Sequence, residues 1–509
     1  MKFGFVGPSY TGRAKNADAE RTINLYLENV ESPEAKVQQI LVGAPGMKHG
    51  AYLPGLAQGS VGRGLFREPS TQQVYAVVGQ TLAQIYVGNG AFAGQPQFGQ
   101  SFQYGNVAAT SPVSICSNGS QLVWNDGTNG YVFNFNNALP NFYNVLQINL
   151  KNFPQTSTTA PGASGFPGAT LFDFLDGYLI ALPPNSQSFY ISLIDDATDW
   201  DALQFASKSS WPDQIVAMKV NKRLLWLLGS ERGEVWWDSG NPDFPLERIQ
   251  GASFEVGCVA PFSLQRLDGD LFWLGGDEKG QGVVYRSQGY QPVRISNHAL
   301  EYQIQSYGTI SDAEAWTEQR EGHLFYWLYF PTGDHTWVYD VSTSQWHERL
   351  YWDSVGGTGW HAHHSRGHAY SAGTHITLDR TNTNVYAMDS GTYTDQAGGN
   401  GSNPVPLRWL RSCPAGFNER KWQYFNQLGI YFQPGQGLAT GQGSNPLCQL
   451  RISDDGGNSW PYTTVAPMGN QGDFTFPTIF RGLGRSMDRA FELSGTEPIP
   501  TAILEAFLQ

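Results

Sequence analysis

Residues 321–330 read EGHLFYWLYF, a turn-prone pair, a histidine and then seven consecutive apolar or aromatic side chains. Alone, such a run says only that the segment is buried; its recurrence says more. Similar phrases appear as TQQVYAVVG (71–79), NGSQLVWND (118–126), DGYLIALPP (176–184), NKRLLWLLG (221–229), DGDLFWLGG (268–276) and TNTNVYAMD (381–389). Aligned on the first apolar residue, they place Val74, Leu122, Leu179, Leu224, Leu271, Leu324 and Val385 at intervals of 48, 57, 45, 47, 53 and 61 residues. Each interval has room for about four ordinary strands with their turns. Periods of this size with β content signal a β-propeller. One four-stranded blade cannot cover both its faces, and radial packing buries each face against the next blade. The apolar runs are then the inner or second strand of each blade. Their spacing allows six or seven blades; a series of two-sheet sandwiches is the alternative.

Composition agrees with an all-β chain. Of 509 residues, 59 are Gly and 29 Pro, aromatics reach 14% and only 15% are charged. Frequent turns between short aromatic-rich segments read as strands, and no stretch sustains a 3.6-residue period. Ahead of the repeats, strands over 22–29 and 36–43 flank the turn ESPEA, and Pro45-Gly46 ends the hairpin. The first 20 residues look like an arm without a core of its own. At 395–406 the sequence DQAGGNGSNPVP marks the best boundary. The expected organisation is an arm and hairpin over 1–60, a propeller over 61–400 and a C-terminal β-sandwich or barrel over 405–509.

Two short patterns point to turns. In TWVYDVSTSQWHER, Tyr339 and Asp340 end a strand and Trp346 starts the return strand, much as in kelch blades. In ISDDGGNSW, the residues Ser453, Asp455, Gly457 and Trp460 form an Asp-box. There the carboxylate accepts turn amides, glycine supplies a left-handed backbone and the aromatic packs over the turn. Sialidases carry several such boxes away from their active sites, and none of those roles needs a substrate.

Glycosidase chemistry needs two carboxylates facing each other across a cleft. Asp195/Asp196, Asp243/Glu247 and Asp454/Asp455 are sequence neighbours on turn-like segments, which argues against that arrangement. His361 and His363 of WHAHHSRGH would share one face of a strand and could begin a zinc site, but no cysteine completes it. His364 and His368 have no characteristic spacing. Asp268 and Asp270 break the calcium-loop pattern. No phosphate-binding loop and no nucleophile elbow is present. Catalytic residues, cofactors and metal ligands are therefore all expected to be none.

Cys116, Cys258, Cys413 and Cys448 are far apart and read as free thiols of a chain made in a reducing cytosol. The start, MKFGFVGPSYTGR, is not a signal peptide, and no apolar segment approaches the ~20 residues of a membrane span. The formal charge of -13 is uneven, since residues 61–404 hold 17 basic against 31 acidic side chains. That sign repels phosphate and excludes a DNA-gripping role by charge.

The block GSERGEVWWDSGNPDFPLERIQGASFEVGCVAPFSLQRLDGDLFWLGGDEKGQGVVYR (229–286) closely resembles the packaged-DNA stabilisation proteins of short-tailed bacteriophages. So do GHLFYWLYFPTGDHTWVYDVSTSQWHER (322–349), the opening RTINLYLE with GAPG, and the tail with RISDDGGNSW and GLGRSMDRAFEL. The likeness covers most of 20–509. It implies a structural virion protein of the tail, also called a tail hub or nozzle, assembled in the host cytoplasm. Six copies would form a tube below the portal and its adaptor, retaining packaged double-stranded DNA and conducting it during ejection. Implied neighbours include the portal adaptor, a tail needle or plug, and tailspikes or fibres, with no membrane insertion. No catalytic residue carries over. The competing expectation is a glycan-binding or glycan-cleaving propeller, because propellers host glycosidases and 16 Trp could stack on sugars.

Overall fold

The computed structural model describes residues 2–15, 17–88, 93–104, 108–126, 129–135, 145–148, 168–353, 359–396, 404–415, 419 and 421–509. In it the turn-prone pairs close tight hairpins. Asp176-Gly177, Lys222-Arg223, Asp268-Gly269, Glu321-Gly322 and Ala372-Gly373 have positive φ at both positions. Each is the two-residue loop between the first and second strands of a sheet. Such a left-handed pair matches the right-handed twist of the strands it joins. The strand that follows is buried on both faces, as in Leu224–Gly229 and Asp270–Asp277. That burial is what the continuous apolar run encodes.

Six of the seven phrases are second strands. The seventh is not: Asn384–Ala387 is the third strand of its sheet, behind Thr374–Asp379. The turn of the expected kind there is Ala372-Gly373, a less conspicuous pair than DG or EG. Counting the wrong strand also explains the long last interval.

Seven four-stranded antiparallel blades follow one another among the described residues. Blade 1 spans Gly62–Arg67 to Pro96–Gln103, blade 2 Ile115–Ser117 to Val145–Gln147, and blade 3 Leu171–Leu175 to Asp196–Ser207. Blade 4 spans Ile215–Asn221 to Leu246–Phe254. Blade 5 runs to Gln291–Arg294 and has its first strand split into Gly257–Cys258 and Gln265–Leu267. Blade 6 spans Glu314–Arg320 to Gln345–Glu348, and blade 7 begins at Ser365–Ser371. The first strands lie side by side around the axis, and that of blade 7 returns to that of blade 1.

Apolar clusters fill every gap between successive blades. Tyr75, Val77 and Leu82 meet Leu122 and Trp124 between blades 1 and 2. Phe272 and Leu274 meet Tyr326 and Leu328 between blades 5 and 6. The ring closes where Val74, Ala76 and Val78 of blade 1 pack on Ile376, Leu378 and Val385 of blade 7. Arg366 ties the same place with hydrogen bonds to both carboxylate oxygens of Glu314 at 2.8 and 2.7 Å, and to the carbonyl oxygen of Gly62 at 2.8 Å. This arrangement is a seven-bladed β-propeller.

The fourth strand of blade 7 comes from the other end of the chain, where Lys48–Tyr52 pairs antiparallel with Asn384–Ala387. This strand passes close to blade 1, where a Cβ on Gly50 would meet the Pro96 carbonyl oxygen at 2.3 Å. Gly50→Ala is therefore expected to lower stability by about 1–3 kcal/mol in urea unfolding. Gly280→Ala, with nothing within 4 Å of its added methyl, is the matched control.

A second body is a β-sandwich. One sheet orders Leu25–Asn29, Gln39–Gly43, Ala502–Leu508, Gln423–Phe432 and Thr478–Ser486. The facing layer orders Ala19–Ile23, Trp409–Pro414, Ala490–Gly495, Leu447–Ser453 and Tyr462–Pro467. Phe5, Leu25, Leu41, Trp409, Leu428, Phe491 and Ile503 share the core between them. The first residues are thus no free arm, because Phe5 is fully buried there. The hairpin forms as expected, except that its first strand breaks at Asn24, whose φ is 55°. Residues 1–60 are shared between sandwich and propeller. Most of the glycine-rich stretch around 395–406 lies outside the described residues. Among the described residues no helix is long and apolar enough to cross a membrane. All four cysteines are buried and unpaired.

Candidate functional site

Blade 6 gathers more buried charge than any other blade, and its sequence explains why. Its third and fourth strands pair Tyr339 with Trp346, and the rings stand 5.1 Å apart. Trp346 also donates Nε1–H to the Ile295 carbonyl of blade 5 at 2.9 Å. Asp340 accepts from the Ser342 amide at 2.9 Å, the Thr343 hydroxyl at 2.9 Å and His323 Nδ1 at 2.7 Å. The His323 hydrogen bond leads the effects that hold the Asp340 carboxyl below its usual range against burial, and the same bond raises His323. Tyr339, Asp340 and Trp346 together fix one turn and one blade contact.

The last residue of that blade, Glu348, joins the two bodies. Ile23 pairs in parallel with Glu348, so the outer edge of blade 6 runs on into the sandwich sheet. Arg21 donates Nε and Nη2 to the two Glu348 oxygens at 3.1 and 2.5 Å, and Ser9 Oγ donates at 3.0 Å. Glu348 is 2% exposed. Burial opposes its charge, yet Arg21 and His335 hold the carboxyl far below the usual range. Beside it, the Asn24 side chain donates to the carbonyls of Leu350 at 2.8 Å and Arg408 at 2.7 Å, and accepts from Leu350 N–H at 3.1 Å. The junction is polar and buried. Nothing in the sequence flagged it, because its partners lie more than 300 residues apart.

The Asp-box forms the turn between the sandwich strands Leu447–Ser453 and Tyr462–Pro467. Asp455 Oδ1 accepts from the amides of Asn458 and Ser459, both at 2.9 Å, and from Ser453 Oγ at 2.6 Å. These bonds hold its carboxyl well below the usual range. Gly457 takes φ of 89°, and the Arg451 guanidinium lies 5.6 Å from the Trp460 ring centre. The adjacent Asp454 faces a different partner, Arg489, at 2.7 and 3.0 Å. The two neighbouring carboxylates are thereby committed to separate structural bonds. Asp196 likewise caps its own turn through Thr198, while Asp243 and Glu247 are exposed. Asp270 is held by Arg286 at 2.7 Å rather than turned toward Asp268.

The histidine run divides. His361 is half-exposed and stands 2.6 Å from Asp334, whereas the strand ends at Ala362 and His363 is fully buried beside Ser365 and Trp327. They do not share a ligand face. Burial drives His363 well below its ordinary value.

His368 instead meets His375, one hairpin turn later, with Nε2 and Nδ1 2.9 Å apart. Glu318 approaches from the first strand of blade 6, its Oε1 3.7 Å from His375 Nδ1. Burial lowers His368, and burial with Arg320 lowers His375 to about 4, so both rings are neutral. Glu318 is held ionised chiefly by Arg320, against its burial. It accepts from Arg320 Nε at 2.6 Å and Trp327 Nε1 at 3.2 Å. This trio was missed in the sequence, where the three residues show no ligand spacing; only the hairpin around Ala372-Gly373 brings the two rings together.

Comparison with known proteins supplies the class. The family model described as "Bacteriophage P22 Gp10, beta-propeller", for phage stabilisation proteins, matches residues 12–393. The chain belongs to that family. It is a phage structural protein of the packaged-DNA stabilisation family, as the resemblance implied, and the family points to the virion. The matched span takes in all seven blades and the segment that completes the last one. No curated protein matches the chain. Among solved structures, the extracellular domain of a putative one-component system, BT4673 from B. thetaiotaomicron, aligns at 12% identity and TM-score 0.41. That alignment covers 85% of this chain and 48% of the other, so the chain spans about half the length of that relative. The Neurospora crassa Pan2 WD40 domain aligns at 6% identity and TM-score 0.39, covering 65% and 90%. The N-terminal domain of Nup159 aligns at 11% and 0.38, covering 72% and 98%.

Proposed function

We propose that the protein is the subunit of a hexameric tail hub, mounted below the portal and its adaptor, that retains packaged DNA and conducts it at ejection. Membership of the phage stabilisation family across residues 12–393 carries this reading. The charge distribution supports it, with 31 acidic against 17 basic side chains over 61–404. A wall of that sign holds few phosphates, so a duplex slides past it; attractive contacts would act as brakes. Six copies joined head to tail close into a ring. The adaptor, a needle or plug, and tailspikes or fibres are its proposed neighbours.

Particle images of the purified protein, alone and mixed with its adaptor ring, test this directly. The expected result is a sixfold ring with an open axis, seated on the adaptor. Particles that stay monomeric in the presence of the adaptor, or a ring of another order, overturn it. Release of sugar from a polysaccharide by the purified chain would instead support the glycan-directed alternative.

A further inference from the structure

Blade 7, completed by Lys48–Tyr52 on Asn384–Ala387, packs on blade 6 through Trp316, Trp327 and Tyr386. Across that seam stand Glu318 of blade 6 and His368 and His375 of blade 7. One ligating atom from each lies within 4.8 Å of the other two. Zinc bonds of about 2.0–2.2 Å in tetrahedral geometry put neighbouring ligands about 3.3 Å apart. The separations here, 2.9 Å between the rings and 3.7 Å from His375 to Glu318, bracket that edge length. We infer that Glu318, His368 and His375 form a divalent transition-metal site, best suited to Zn²⁺, that staples blade 6 to blade 7.

The surroundings are those of ligands rather than of loose side chains. The backbone of Thr317 hydrogen-bonds the His368 ring, which fixes its orientation and leaves Nε2 aimed at the trio. Glu318 is oriented through Trp327 Nε1 on its other oxygen. The Asp389 carboxylate takes a hydrogen bond from the backbone of His375, which anchors that residue's main chain. Two imidazoles and one carboxylate make a set that prefers Zn²⁺ over Ca²⁺ or Mg²⁺, with a fourth position for water. In the ring–ring hydrogen bond one of the two facing nitrogens carries a hydrogen. Metal binding moves it to the far nitrogen of the same ring, with no net proton released. Arg320 is the one opposing group: its Nε donates to Glu318 Oε1 at 2.6 Å, so a metal must displace the guanidinium from that oxygen toward Ser390 Oγ, which its Nη1 already reaches at 3.4 Å.

The full-length protein, stripped with a chelator and dialysed, should take up one Zn²⁺ per chain against a chromophoric competitor. Its Tm should rise by roughly 3 °C at a hundredfold excess over Kd. His375→Gln should abolish both, and a normal circular dichroism spectrum in chelator will show that this variant folds. Co²⁺ added to the unmutated protein gives a check that needs no variant, because intense visible bands saturating at one equivalent report a tetrahedral site. X-ray absorption of the zinc form should show two imidazoles. Uptake far below one equivalent, weak octahedral cobalt bands, or full zinc binding retained in folded His375→Gln each overturn the site. None of these outcomes depends on the hexamer.

Discussion

Arg21→Met is expected to lower stability by about 3 kcal/mol and to loosen the sandwich before the propeller. The replacement keeps most of the aliphatic stem, so the loss reports the guanidinium rather than packing. What remains is Glu348, 2% exposed, deprived of the two bonds at 3.1 and 2.5 Å that hold its charge. Breaking one side of a buried pair costs about 3–5 kcal/mol, because the other side is stranded. The lower end applies here, since the Arg21 side chain is a third exposed and Ser9 still donates to Glu348.

The location gives the change a second readout. Ala19–Ile23 is the strand through which blade 6 continues into Trp409–Pro414 of the sandwich. Hydrogen exchange in 409–414 and 490–495 should therefore speed up more than in the second strands of blades 2 to 4. Arg223→Met is the control, because its ion pair with Asp176 involves a side chain that is 80% exposed, and such pairs contribute little. If Arg21→Met behaves like Arg223→Met, Glu348 is not the joint between the bodies.

These partners show what kind of information the sequence carries. The second strands were legible because burial on both faces demands an unbroken apolar run, and three hairpins announce themselves through an Asp-Gly or Glu-Gly pair, whose glycine suits positive φ. The phrase at 381–389 misled for the same reason. Asn384–Ala387 is fully buried as a third strand, and burial alone does not number the strands of a blade. The Asp-box and the Tyr339–Trp346 turn were legible because the bonds that shape each turn are local. Closure by Lys48–Tyr52 was not, since it depends on a partner more than 300 residues away and five modest residues, KHGAY, with no apolar run. The same holds for Arg21 with Glu348 and for Glu318 with His368 and His375, which topology alone brings together. For a phage structural protein, function was legible through family likeness rather than through any constellation of reactive groups.

Acidification should destabilise the protein through His347. Its ring is fully buried against Phe325 and Tyr26, and it faces Asp340, Glu348, Arg349 and His323. Burial first, and then Arg349 and His323, pull it from the ordinary 6.5 to about 3, against the opposing pull of Asp340 and Glu348. A depressed value means that the unfolded chain binds this proton more readily than the folded one. The stabilisation is therefore complete above about pH 6.5 and is lost as the pH falls toward 3. At pH 4.5 the two-unit gap below 6.5 corresponds to about 3 kcal/mol. His363, lowered by burial, adds in the same direction. Asp395 opposes them. Burial raises its carboxyl to about 6 despite the Met47 amide and Arg349, so it holds its proton in the folded state. Its share is present at low pH and disappears as the pH rises through 6; between pH 7 and 4.5 it returns about 2 kcal/mol. Urea unfolding at pH 7 and 4.5 separates the two groups. His347→Leu should shrink the acid loss by about 3 kcal/mol, while Asp395→Asn should enlarge it by about 2 kcal/mol. An acid loss unchanged in His347→Leu would mean that this ring already shares its proton with Asp340 or Glu348 at neutral pH, and that blade 6 is held by a charged histidine rather than a neutral one.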